Sequence, residues 1–143
     1  MNTPTTTNPT SVTPPRGLIL MAHGARDPRW ALPFEQTAAR LRELCPGQPV
    51  ALAYLELMSP DLPHCGAGLV QAGCRQVDVL PLFLGAGGHV RKDLPALVDG
   101  LRERFPQVHW TLQQAVGESA MLVEAMAQVG AQVLNASVES DAR

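Results

Sequence analysis

The 143-residue chain has no apolar run approaching the ~18 residues that a membrane-spanning helix needs, so no membrane span is expected. It also has no excess of positive charge: 11 Lys and Arg stand against 13 Asp and Glu, a net charge of −2. Phosphate neutralisation requires clustered cations, so this balance argues against a nucleic-acid partner. Cysteine is scarce. Cys45, Cys65 and Cys74 form no CxxC pair and no metal-ligand spacing, and each falls in an apolar helical pattern where a thiol acts as a small hydrophobe. A reducing compartment follows, and the start of the chain lacks the basic and apolar blocks of a signal peptide, so the expected location is the cytoplasm.

What is present is an ordinary globular composition, 45% hydrophobic and 17% charged, in a length suited to one core. "MNTPTTTNPTSVTPPR" is too rich in Thr and Pro to drive collapse. Residues 1–15 are therefore read as a disordered tail, 16–134 as a single domain and 135–143 as a polar C-terminal tail. Within the domain, short apolar runs at 17–22, 50–55, 77–84 and 108–112 alternate with amphipathic stretches. This is the rhythm of βα units around a parallel sheet.

Helices are predicted from Ala31 to Cys45, with Phe34, Ala38, Leu41 and Cys45 inward, and after "SPDL", with Ser59 as N-cap and Leu62, Cys65, Leu69 and Ala72 inward. A third follows the glycine-rich "GAGGH", and a fourth spans 118–134, its Met121 and Met126 read as core or interface packing.

The first strand ends on His23, the second on Glu56, and His89 lies shortly after the third, at intervals of 33 residues. If the strand order is 2-1-3-4, these three reach one rim, because residues beyond the carboxyl ends of neighbouring parallel strands converge. Two imidazoles and a carboxylate suit a borderline divalent ion such as Co²⁺, Fe²⁺, Ni²⁺ or Zn²⁺. A lone histidine near a strand end is more often an ordinary hydrogen-bonding residue; three candidate ligands at three strand ends carry more weight. Gly87 and Gly88 beside His89 would let backbone approach a bound partner closely. Arg26 and Arg29 follow His23, and Arg91 and Lys92 follow His89. Cations near helix starts oppose the macrodipole, which favours an anionic ligand there over a merely solvated helix start. His64 and His109 are read as structural.

The stretches "LILMAHGARDPRW", "AYLELMSPDL" and "VLPLFLGAGGHVRKDLP" resemble the short-form CbiX family, class II chelatases of tetrapyrrole biosynthesis, and the likeness runs over about residues 16–134. The resemblance implies a flavodoxin-like α/β fold, an open four-stranded parallel sheet with helices on both faces. It implies ATP-independent insertion of Co²⁺, or Fe²⁺ or Ni²⁺, into sirohydrochlorin, with no organic cofactor. By motif, the metal ligands fall on His23, His89 and Glu56, with His23 and His89 also catalytic. The resemblance further implies a homodimer with its active site in the inter-subunit cleft. The macrocycle face would then lie over Leu57 and Leu84, with its carboxylates meeting Arg26, Arg91 and Lys92. A metal-dependent hydrolase could use the same ligand set, although no HExxH helix is present. So could a non-catalytic metal or tetrapyrrole carrier.

Overall fold

A computed structural model describes residues 13–136 except Ala86, with His89 described by its backbone alone; the rest of the two expected tails, 1–12 and 137–143, lies outside the described residues. Strand β1 (Arg16–Ala22) is followed by a 3-10 turn, Pro28–Ala31, and helix α1 (Leu32–Leu44). Then come β2 (Val50–Tyr54), α2 (Leu62–Gln71), β3 (Gln76–Pro81), α3 (Gly88–Arg104), β4 (His109–Leu112), a second 3-10 turn at Val116–Glu118 and α4 (Ala120–Asn135). The sheet order is β2-β1-β3-β4, the order under which the three motif positions reach one rim, and every pairing is parallel. β1 is central, with Leu18 opposite Val50 on one side and Asp78 on the other.

The two faces of the sheet are covered unequally. Ile19, Met21, Val77, Val79 and Trp110 point to one face and pack with Leu62, Leu69, Val98 and Leu101 of α2 and α3 in the main core. Gly66 allows the two helices to close, since a Cβ there would sit 2.7 Å from a Leu101 methyl. On the other face α1 forms a small cluster around Ala22, Ala31 and Tyr54. Ala38 is the one fully buried residue of α1, with Phe34, Leu41 and Cys45 half-buried.

Several local expectations are corrected. Asp61, not Ser59, caps α2, accepting from the His64 backbone N–H, because Pro60 precedes the cap and Pro63 supplies the helix start. Ala72 is the exposed C-cap of α2, one residue past the helix end and three past its last buried residue, Leu69. β3 stops at Pro81, which has no N–H to continue a ladder. Burial pushes the Cys65 thiol up to about 11 and raises that of Cys74, as suits core residues, but Cys74 sits in the turn before β3 rather than on a helix. Met121 and Met126 are exposed, for no residue of α4 is buried.

Asp78 is the one charged residue of the described core, held by Arg16 Nε at 2.7 Å and Gln113 Nε2 at 2.8 Å. Burial works to raise its carboxyl, but the hydrogen bonds from Arg16 and Gln113 outweigh it and hold the group below its usual range. A depressed carboxylate stabilises the fold fully above the ordinary value of ~3.9, and that contribution disappears as pH falls through the lowered value. Asp78→Asn is therefore expected to lose about 1 kcal/mol at neutral pH, typical of a hydrogen bond to a charged group after discount for the exposed Arg16. Urea unfolding should show the deficit shrinking below pH 4; a constant deficit would contradict this account.

Candidate metal centre

The site begins with backbone. The β1–β2 ladder runs on past the strand ends: the Leu55 N–H donates to Ala22 O at 2.9 Å and the Glu56 N–H to His23 O at 3.1 Å. The chain then reverses in a three-residue turn closed by the Met58 N–H on Glu56 O at 2.8 Å, with Leu57 at its centre at φ 63. A left-handed leucine is uncommon, and such strain concentrates at functional sites. Gly24, at φ +99, makes the close approach of the two loops feasible, because a Cβ there would lie 1.8 Å from Glu56 O. "HG" thus needs its glycine for contact between loops.

Zipped together in this way, His23 Nε2 and Glu56 Oε1 stand 3.1 Å apart, with side chains 48% and 56% exposed. Both are accessible to an incoming ion. Phe83 holds the imidazole edge-on at a centroid distance of 6.0 Å. The pair opens into a cleft of about 730 Å³ whose far wall is α3, through Val90, Asp93, Ala96 and Leu97. His89 is the second residue of α3, so its backbone lies at the start of this wall.

The other predicted residues divide. Leu57 and Leu84 are exposed apolar groups, and Gly87 and Gly88 form the cap and first residue of α3. A Cβ at either glycine would meet nothing within 4 Å, so the space over the helix start is open. Arg26 and Lys92 are exposed. Arg91 lines a different cleft, of about 330 Å³, with Phe83, Leu94, Leu112 and Glu118 among its walls. Arg29 is held by the Asp27 carboxylate, at 2.8 Å from Nη2, and so is already paired. His64 is paired with Asp61. Asp93 was not anticipated; its signal lay in "HVRKD", where it stands one helical turn after His89. No cluster of three metal-ligating side chains occurs among the described residues, in a set without the His89 side chain.

These features define a class: an open parallel α/β domain that presents a histidine and a carboxylate at the carboxyl rim of its central strands, where such sheets bind ligands. The CbiX family profile matches residues 17–133, and the chain belongs to that family. A crystallised putative cobalamin biosynthesis CbiX protein from Marinobacter aquaeolei superposes with a TM-score of 0.77 at 36% identity, over 86% of this chain and 100% of that one. The sirohydrochlorin chelatase SirB of Bacillus subtilis subspecies spizizenii, solved with cobalt, shares the fold at 18% identity and a TM-score of 0.73, over 83% of this chain and 51% of SirB. The sirohydrochlorin cobaltochelatase of Methanopyrus kandleri is 26% identical over 81 residues, 57% of each chain. This chain thus matches little more than half the length of that curated relative. No described helix is long and apolar enough to cross a membrane.

Proposed function

We propose that this chain is a cytoplasmic chelatase that inserts a divalent metal, Co²⁺ first and Fe²⁺ or Ni²⁺ as alternatives, into sirohydrochlorin without ATP. The observation that carries the reading is the His23–Glu56 pair, 3.1 Å apart and open to solvent at the rim of the sheet. Relatives of the CbiX family that bear the name sirohydrochlorin cobaltochelatase give the substrate class.

Insertion exchanges two pyrrole N–H protons for one M²⁺, so the site must hold the ion loosely and accept protons. Neutral His23 donates its Nε2 lone pair to the ion, and Glu56 offsets the ion's charge. His89 supplies a third ligand from the start of α3. As the ion passes to the macrocycle, the groups that held it are bases free to take up protons. Leu57 and Leu84 offer apolar contact to the ring, and Arg26, Arg91 and Lys92 attract its carboxylates. A homodimer would close the open side of the cleft over the ring.

The test is anaerobic incubation with sirohydrochlorin and each of the three metals, followed by absorption spectroscopy. Repeated turnover at substoichiometric protein is the expected result. A change that stops at one equivalent would identify a carrier, and no acceleration over the protein-free rate would overturn the reading. The relative rates rank the metals, which this ligand set alone does not separate.

A further inference from the structure

The wall of the cleft opposite His23 and Glu56 comes from α3, and the register of that helix decides which side chains face the pair. Val90, Asp93 and Leu97 recur at intervals of three and four, so they share one stripe of the helix, with Ala96 beside them. Val90 and Leu97 are half-buried and pack against the main core, which turns this stripe toward the sheet. Asp93 is therefore the one polar side chain that α3 contributes to an otherwise apolar wall. Arg91 and Leu94 fall on the neighbouring stripe and line the other cleft.

Asp93 is also uncommitted. Asp27, Asp61, Asp78 and Asp99 each hold an arginine or histidine within the chain, and Glu56 faces His23. No hydrogen bond or ion pair engages the Asp93 carboxylate among the described side chains, and the residue is exposed.

Metal insertion, on the chelatase reading above, sets a requirement that the ligands alone do not meet. The first nitrogen–metal bond forms as the first pyrrole N–H breaks, while the ion is still held on the protein. A lone pair that binds the ion cannot take a proton, so His23 and Glu56 become bases only once the ion has left them. The first proton needs a base outside the ligand set. Of the described titratable side chains that line the cleft, His23, Glu56 and Asp93, only Asp93 meets that condition. Arg26, Arg91 and Lys92 are cations and accept nothing, and the His64 imidazole is turned to Asp61.

We propose that Asp93 is a catalytic base that accepts the first pyrrole proton. The N–H bond breaks toward a carboxylate oxygen, and its electron pair stays on nitrogen. That pair forms the first nitrogen–metal bond as the ion gives up a protein ligand. The second proton goes to a group that the ion has vacated. Two protons have then left the macrocycle for one M²⁺ gained, and the exposed Asp93 returns its proton to solvent.

Asp93→Asn keeps the size of the side chain and removes the base. Its kcat for anaerobic Co²⁺ insertion into sirohydrochlorin is expected to fall at least about 10²-fold, the usual contribution of a positioned base. Calorimetric Co²⁺ affinity and the KM for sirohydrochlorin should stay at the wild-type level, because this carboxylate holds neither the ion nor the ring. In Asp93→Ala, added formate should restore part of the rate in proportion to its concentration, since a small carboxylate fits the space that the side chain leaves. The exposed position predicts an unchanged urea midpoint for both variants. Wild-type turnover with an equally fast Asp93→Asn overturns this assignment and leaves the chelatase reading intact. Loss of Co²⁺ affinity in step with rate makes Asp93 a ligand and overturns it too. So does a slow Asp93→Ala that formate does not restore, which reduces the residue to positioning. Absence of insertion by the wild-type chain overturns the chelatase reading and this assignment with it.

Discussion

Gly24→Ala is expected to destabilise the fold by about 3 kcal/mol and to separate His23 from Glu56, which makes it the most damaging small substitution near the rim. Two terms add. A left-handed backbone costs an L-residue about 1–2 kcal/mol. Overlap in a packed site adds about 1–3 kcal/mol more, and the Cβ at position 24 would lie 1.8 Å from Glu56 O, a backbone atom that a rotamer change cannot move. Gly47 isolates the first term: at φ +85 it is equally left-handed, but a Cβ there meets nothing within 4 Å. Gly47→Ala should therefore lose only about 1–2 kcal/mol. Urea unfolding of the two variants gives the steric part by difference. Equal losses would mean that the loops after β1 and β2 part easily, and that the close approach does not set the site.

His23→Ala should do the opposite, leaving the fold intact while removing function. Its side chain is half exposed and meets the Phe83 ring edge-on, so a stability change within about 0.5 kcal/mol is expected, as for other surface substitutions. Insertion should fall by at least about 10²-fold, the usual loss when a positioned acid–base group is removed. Calorimetric titration with Co²⁺ should show weaker binding in parallel. Glu56→Gln provides the contrast, because it keeps the shape of the pair while removing its charge. If His23→Ala inserts metal at the wild-type rate, the ligand role moves to other residues of the cleft, with Asp93 first among them.

Much of this molecule is legible in its sequence. Short apolar runs alternating with amphipathic stretches predicted βα units around a parallel sheet. A shared rim for residues after the first three strands follows once β1 lies between β2 and β3. Such features are local or topological, and composition and spacing encode them directly. Helix caps were less legible: "SPDL" offers Ser59 and Asp61 as caps, and only the path of the backbone selects Asp61.

Tertiary structure alone decided three things, each because it depends on distances between segments remote in sequence. The glycine after His23 is needed because the Glu56 carbonyl, 32 residues further on, occupies the space a Cβ would fill. Asp93 enters the cleft because α3 crosses opposite the ends of β1 and β2, while Arg91, two residues earlier, turns to another cleft. The apolar residues of α4 read as core or interface packing, and within the described chain none of them is buried, for periodicity specifies a face to be buried and not the molecule that buries it. Hydrophobic burial is non-directional. Within the described chain α4 contacts chiefly the 3-10 turn that precedes it.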